Sequence, residues 1–66
     1  MRRFLEPAMP ERGTFGVTGD EGTHLVRVLR ARPGDVVLVF DGRGREAVCR
    51  VTVVTRDGAT LEVVED

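Results

Sequence analysis

The sequence predicts a small, mainly β domain, a β-barrel with one short covering α-helix at about residues 20–30. One continuous apolar run, Val36 to Phe40, and two alternating segments, Glu46 to Val54 and Ala59 to Val64, have the patterning of strands. Turn sequences rich in glycine and aspartate separate these segments. A single helical signal precedes them. With 66 residues, the chain is expected to form one domain over residues 1–66.

The amino-terminal elements are short. Arg2 to Leu5 is predicted to form a strand that ends before Pro7. Residues 7–17 contain two prolines and two glycines and are therefore expected to form a loop, with one brief extended piece at Thr14 to Val17.

The helix has an amino-terminal signal and an amphipathic pattern. Thr18 and Glu21 have the spacing of a capping box, in which each side chain bonds a backbone N–H of the first turn. The helix is expected to run from Asp20 to Leu29 or Arg30 and to end before Pro33. The predicted apolar stripe consists of Leu25, Val28 and Leu29. The opposite side holds Thr23, Arg27 and Arg30, with His24 at its edge.

The carboxy-terminal half is predicted to be a meander of three antiparallel strands. Val36 to Phe40 is apolar throughout, so it is expected to be buried on both faces. A hairpin signal, residues 41–44, joins it to the next strand, and residues 56–58 form the following turn. The inward-facing positions are predicted to be Ala47, Cys49, Val51 and Val53 in one strand and Ala59, Leu61 and Val63 in the next.

Charge is unevenly distributed along a chain whose net charge is −1. Residues 1–45 hold eight arginines against six acidic residues, and residues 46–66 hold two arginines against five. All the basic residues are arginine, which forms better bidentate contacts with phosphate than lysine does. There is no signal-peptide pattern and no apolar run long enough to span a membrane, so a soluble protein without membrane contact is expected. The single, unpaired Cys49 fits a reducing compartment, so the expected location is the cytoplasm.

The chain contains few side chains that are suited to catalysis. The chain has no serine, and His24 and Cys49 are its only histidine and cysteine. Cys49 lies in a strand and is expected to be a core residue, while Asp35 and Asp41 are expected to be turn residues. We therefore expect no catalytic residue, no metal site and no cofactor site in this chain.

The chain contains more side chains that are suited to binding phosphate groups. Arginines lie on the predicted helix, at the hairpin and at the start of the first strand, where they could contact backbone phosphates or stack on unpaired bases. The alternative is that these arginines are solvated or paired with Glu21, Asp35 and Glu46. The residues alone do not decide between the two interpretations.

Five motifs together resemble one family: R-R-F at 2–4, T-G-D-E at 18–21, H-L-V-R-V-L-R at 24–30, R-P-G-D at 32–35 and F-D-G-R-G-R-E at 40–46. They resemble the amino-terminal domain of the bacterial 16S ribosomal RNA uridine-N3 methyltransferases, often called ribosomal RNA small-subunit methyltransferase E. The resemblance spans all 66 residues. It implies a PUA-like β-barrel that binds RNA and whose partner is 16S ribosomal RNA or the small ribosomal subunit.

The resemblance also implies a larger parent enzyme. Family members continue into a knotted SPOUT domain that binds S-adenosylmethionine and mediates homodimerisation, so the parent is expected to be an enzyme although these 66 residues are not. The fragment alone is expected to be a monomer. The implied RNA-binding residues are Arg2, Arg3, His24, Arg27, Arg30, Arg43 and Arg45. An alternative function is a scaffold domain that packs on the catalytic domain or on a dimer partner and contacts little RNA.

Overall fold

A computed structural model describes residues 2–65, so the two terminal residues of the predicted domain lie outside the description. The strands are β1 (Arg3–Leu5), β2 (Gly13–Val17), β3 (Val36–Phe40), β4 (Glu46–Val54) and β5 (Ala59–Glu65). Helix α1 (Gly19–Thr23) continues directly into a π-helical turn, His24–Val28. The prediction of a mainly β domain with one short helix is confirmed, and the extended piece before the helix is the complete strand β2.

All five strands of the described chain belong to one sheet with the order β1-β3-β4-β5-β2. β1 runs parallel to β3, and the other neighbours are antiparallel. Within residues 2–65 no ladder joins β1 to β2, so the sheet is open, with these two strands at its edges, and is not the closed barrel that was predicted.

One face of the sheet forms the core together with the helix. Strand register aligns the buried side chains, since Phe4 lies opposite Val39, and Leu61 lies opposite Val51. The fully buried members of this core include Phe4, Val17, Leu25, Val37, Val39, Cys49, Val51 and Leu61. Cys49 is therefore a core residue, as predicted.

Two predictions about strand faces are wrong. β3 is buried on one face only: Val37 and Val39 are inaccessible, whereas Val36 is 39% exposed. A domain this small has a single core and no second layer for the other face. In β4 the register shifts between Val51 and Val53, and this irregularity turns Val53 outward to 51% exposure. A shift of one position moves a side chain to the opposite face of a sheet.

The helix also differs from the predicted regular amphipathic helix. Thr18 is the N-cap residue, but its hydroxyl makes no capping bond, so the capping box does not form. In the π turn the Leu29 N–H bonds the His24 carbonyl oxygen five residues earlier, and this wider winding rotates the apolar stripe. Leu25 remains fully buried, Val26 packs against the core, and Val28 is 65% exposed.

The start of α1 lies unusually close to neighbouring backbone. A Cβ at Gly22 would lie 2.5 Å from the Asp57 carbonyl oxygen and 2.7 Å from that of Val17. Gly58 has the same property, because a Cβ there would lie 2.5 Å from the Val17 carbonyl oxygen. These two glycines allow the helix, the β4–β5 turn and the end of β2 to touch through their backbones. This contact fixes the position of the helix over the sheet.

Candidate nucleic-acid interface

The segment from His24 to Arg32 presents an exposed cationic surface at the end of the helix. Arg27, Arg30 and Arg32 are exposed, and so is His24. Among residues 2–65, the side chains of Arg30 and Arg32 make no ion pair or hydrogen bond. We name the segment 24–32 the helix-end surface.

Arg30 has an uncommon backbone conformation. Its φ of 55° places it in the left-handed region, the one such non-glycine residue among those described. A residue in that region bears a conformational cost and typically marks a helix end or a functional position. The Ala31 N–H, immediately after it, bonds the Leu25 carbonyl oxygen and closes the helix. The turn therefore directs an unpaired guanidinium away from the core.

Arg2 forms hydrogen bonds with the same helix end and with the turn that follows it. Its guanidinium donates to the Leu29 carbonyl oxygen and, over 2.7 Å, to Oδ2 of Asp35. The Arg32 N–H donates to the same carboxylate oxygen over 2.9 Å. The hydrogen bond from Arg2, and then that from the Arg32 amide, lower the pKa of Asp35 below its ordinary value of 3.8. Arg2 is thus a structural residue that also offsets the negative carbonyl end of the helix.

Arg27 forms a weak, solvent-exposed ion pair with Asp57. Its guanidinium lies 3.2 Å from Oδ1 of Asp57, and both side chains are more than half exposed, at 54% and 66%. Exposed pairs of this kind contribute about 0–1 kcal/mol. A phosphate could therefore replace Asp57 at little cost.

The β3–β4 hairpin is organised by one aspartate. Asp41 Oδ1 accepts hydrogen bonds from the Arg43 N–H at 2.7 Å and the Arg45 N–H at 3.1 Å. These backbone donors, with that of Arg43 first, lower the pKa of Asp41. Asp41 is therefore a turn residue, as predicted, and so is Asp35 through its bond to Arg32.

The two hairpin arginines hold the loop between β1 and β2. Arg43 donates to the Pro7 carbonyl oxygen over 2.7 Å. Arg45 donates to the carbonyl oxygens of Pro10 at 2.6 Å and Glu11 at 2.9 Å, and its side chain is partly buried. Both arginines act as structural clamps on this loop. The prediction that they contact RNA remains untested.

Arg3 lies on the outer face of the sheet and is paired. Its Nη2 donates to Oε1 of Glu46 over 2.7 Å, and its guanidinium carbon lies 5.3 Å from the centroid of the Phe40 ring. Phe40 is therefore a half-buried outer residue and not a core residue. Beside it lies an open cleft of about 310 Å³ lined by Phe40, Gly42, Gly44, Arg45 and Glu46.

The predicted arginines have three kinds of environment. Arg2, Arg3 and Arg27 pair with carboxylates, Arg43 and Arg45 donate to carbonyl oxygens of the loop, and Arg30 is unpaired within residues 2–65. Pairing with an acidic residue, the alternative interpretation, holds for Arg2 with Asp35 and Arg3 with Glu46. It does not hold for Glu21, which makes no ion pair within residues 2–65. The unpaired Arg32 was missing from the predicted set. Its position between Arg30 and the turn that begins at Pro33 is the sequence signal that indicates its exposure.

Two further features bear on the site's chemistry. Residues 2–65 contain no group of three or more potential metal-ligating side chains close enough together to hold an ion. No helix in this part of the chain has the length and apolarity needed to cross a bilayer.

Comparisons with known proteins agree on one family. Residues 17–64 match the family described as RNA methyltransferase PUA domain. The chain is 36% identical over 67 residues to the ribosomal RNA small subunit methyltransferase E of Bacillus subtilis. It is 39% identical over 62 residues to the protein of the same name from Mycobacterium tuberculosis. These matches cover 97% and 92% of this chain.

Solved structures give the same result. A ribosomal RNA small subunit methyltransferase E from Neisseria gonorrhoeae, crystallised with S-adenosyl methionine, superposes with a TM-score of 0.83 and 29% identity over 98% of this chain. A predicted RNA methyltransferase from Thermotoga maritima superposes with a TM-score of 0.74 and 26% identity over 98% of this chain. The chain spans about a quarter of the length of each: 26% and 24% of the two sequence relatives, and 27% and 29% of the two structures.

Proposed function

The chain belongs to the RNA methyltransferase PUA domain family, and on that premise we propose that it is the RNA-binding domain of a 16S rRNA (uridine-N3) methyltransferase. In this proposal the domain docks small-subunit rRNA so that a separate S-adenosylmethionine-dependent domain methylates one uridine. The parent enzyme is a cytoplasmic homodimer. The family match and the relatives' names support the reaction class, and the helix-end surface supports the RNA contact.

The observation that carries the RNA contact is the pair of unpartnered guanidinium groups of Arg30 and Arg32. Six other arginines of the described chain are engaged with carbonyl oxygens or carboxylates. Arg12 and Arg56 are also unpaired within residues 2–65, but each lies alone, whereas Arg30 and Arg32 are two residues apart at one helix end and can contact one ligand together. Phosphate is the partner that guanidinium groups recognise best in nucleic acids. Arg27 can join them by leaving Asp57, and His24 can donate a further hydrogen bond.

Three of the four remaining arginines of the predicted set have a supporting role in this proposal. Arg2 holds the helix end at the angle that presents Arg30 and Arg32. Arg43 and Arg45 hold the loop beside the hairpin, and their positive charge raises the local potential without a direct phosphate contact.

The methyl donor has no suitable place among the described residues. S-adenosylmethionine is a long, positively charged adenosine derivative. The cleft beside Phe40 is open and lies at the small end of ligand-site volumes. The proposal therefore assigns methyl transfer to another part of the parent enzyme and derives no catalytic step from this domain.

Salt-dependent RNA binding tests the proposal. The affinity of the 66-residue chain for folded 16S rRNA fragments is measured by fluorescence anisotropy across a range of salt concentrations. We expect the affinity to fall steeply with salt, because each phosphate contact releases counterions.

The double variant Arg30→Gln, Arg32→Gln should reduce the slope of log K against log salt by about 0.7–0.9 per lost contact. Arg50→Gln, which removes an arginine paired with Glu62, is the matched control and should leave the slope unchanged. Salt-independent or undetectable binding would refute the proposal.

Three exposed apolar side chains favour a second candidate, the scaffold domain. The outer face of the sheet exposes Leu5, Val36 and Val64 at 39%, 39% and 46%. They lie on three strands, β1, β3 and β5, and an apolar area that spans several strands is typical of a protein contact. Crosslinking of the parent enzyme bound to rRNA distinguishes the two functions, since a scaffold would place every RNA crosslink on the other domain.

A further inference from the structure

We propose that the cleft beside the β3–β4 hairpin binds the base of one unpaired guanine. The inference rests on the proposed RNA-binding function and adds to it a second subsite, separate from the helix-end surface. Phosphates would bind at residues 24–32, and the base would bind between Phe40 and Glu46.

The shape of the cleft suits one flat group. Its volume of about 310 Å³ is at the lower end of the range of about 300–1,000 Å³ that small-molecule sites occupy. Gly42 and Gly44 line it without side chains, so a ring can approach the hairpin backbone closely. Both glycines have positive φ values, 77° and 101°, a backbone conformation that favours glycine and gives the hairpin its shape beside the cleft.

The walls provide a stacking surface. Phe40 lines the cleft, so its ring is the proposed stacking partner. The guanidinium of Arg3 lies 5.3 Å from the centroid of that ring but does not itself line the cleft. Unpaired bases in RNA stack on aromatic rings and on guanidinium planes. Hydrogen bonds from Arg45 to Pro10 and Glu11 fix the wall on the loop side, so the cleft is formed before a ligand arrives.

The cleft is lined by one carboxylate and by Arg45, whose guanidinium already bonds carbonyl oxygens of the loop, so the carboxylate decides that a base is favoured over a phosphate. Glu46 lines the cleft, and the carboxylate of Glu46 uses Oε1 to accept from Arg3. A carboxylate repels phosphate but retains further lone pairs for N–H donors. The Glu46 carboxylate is therefore suited to a ring edge that presents donors.

Guanine has the edge that matches this carboxylate. Its N1–H and N2–H₂ groups are adjacent donors, which can bond both oxygens of one carboxylate. Adenine and cytosine each place one amino donor beside a ring nitrogen acceptor, and uracil places one N–H between two carbonyl oxygens. In these three bases an acceptor would face the carboxylate, at an energetic cost.

The test uses short oligouridines that carry one central guanine, adenine, cytosine or inosine. Their affinities for the 66-residue chain are measured by anisotropy at constant salt. We expect guanine to bind at least about fivefold more tightly than adenine or cytosine, because bidentate base contacts discriminate by that factor or more. Inosine, which lacks the N2 amino group, should lose most of this preference. This comparison changes only the RNA and therefore does not depend on the folding of a variant.

A matched pair of protein variants completes the test. Glu46→Gln should abolish the preference for guanine. Glu62→Gln should retain it, because Glu62 is an equally exposed, arginine-paired carboxylate outside the cleft, with 48% side-chain exposure against 49% for Glu46. Loss of the preference in both variants, or salt-sensitive binding without any preference for guanine, would overturn the base subsite and leave the proposed function standing. Absence of salt-sensitive RNA binding would instead refute the proposed function, and the subsite with it.

Discussion

Arg2 and Asp35 join the first strand to the turn that follows the helix. The guanidinium of Arg2 donates to Oδ2 of Asp35 over 2.7 Å and also to the carbonyl oxygen of Leu29. The same carboxylate oxygen accepts the Arg32 N–H. One half-buried ion pair therefore sets the end of the helix, and through it the position of the unpaired guanidinium groups of Arg30 and Arg32.

Asp35 should make the stability of the domain depend on pH in the acidic range. Because the Arg2 guanidinium and the Arg32 amide lower its pKa from 3.8 in the folded state, its stabilising contribution is present above that value. The contribution is lost as the pH falls below it, through the folded pKa. Asp35→Asn should lower the free energy of unfolding at neutral pH and flatten its decrease below about pH 3.8. Urea denaturation between pH 7 and pH 2 measures both effects.

The control for that prediction is Glu11→Gln, because Glu11 is exposed and its carboxylate makes no ion pair among the described residues. It should reproduce the acid dependence of the unchanged protein. A flattening as large as that of Asp35→Asn would contradict the assignment. Some acid dependence should remain in both variants, since the pKa of Asp41 is also lowered.

Gly22→Ala should destabilise the domain by about 1–3 kcal/mol, the usual cost of overpacking. Helix propensity alone predicts the opposite sign, because alanine is favoured over glycine in a helix by about 1 kcal/mol. The added Cβ would meet the backbone oxygens of Asp57 and Val17, and neither can rotate away. Gly16→Ala is the control, because a Cβ there meets no atom within 4 Å. Thermal unfolding of the two variants gives the sign directly, and a stabilised Gly22→Ala variant would show that the helix start is more loosely packed than described.

Arg30→Gly and Arg27→Gly should change stability in opposite directions. Glycine at position 30 removes the cost of a left-handed φ of 55° and should stabilise the domain by up to about 1 kcal/mol. Glycine at position 27, within the π turn, should destabilise it by about 1 kcal/mol. Chemical denaturation measures both. If the proposed function is right, Arg30→Gly should also weaken RNA binding while the fold becomes more stable, a combination that general unfolding cannot produce.

Arg45→Ala should destabilise the domain by about 1–3 kcal/mol, because charge-assisted hydrogen bonds to the loop carbonyl oxygens are lost. Amide hydrogen exchange at Met9, whose N–H bonds the Glu6 carbonyl oxygen within that loop, should accelerate. Arg50→Ala removes an exposed pair at 3.8 Å and should cost less than about 1 kcal/mol. Equal effects of the two variants would mean that Arg45 does not clamp the loop.

Local patterns predicted most elements of this fold. Strands β3, β4 and β5 were predicted from alternation and apolar runs, and the aspartates of the turns were predicted from their tendency to bond nearby N–H groups. The π turn was not predictable, because the spacing of Leu25, Val28 and Leu29 suits a regular helix. The outward position of Val53 was likewise not predictable from the sequence pattern, because the register shift in β4 arises from pairing with β5.

The candidate site, like the fold, was predictable from the sequence only in part. Composition and motif order by themselves determined that this chain is a small, arginine-bearing β domain similar to the RNA methyltransferase PUA family. Only the tertiary structure decided which arginines remain available, because Arg2, Arg43 and Arg45 find their acceptors on segments 27 to 36 residues away along the chain. A sequence records the charge of a side chain. Whether the side chain already donates to a carbonyl oxygen depends on which backbone segments, distant in sequence, the fold brings within hydrogen-bonding distance.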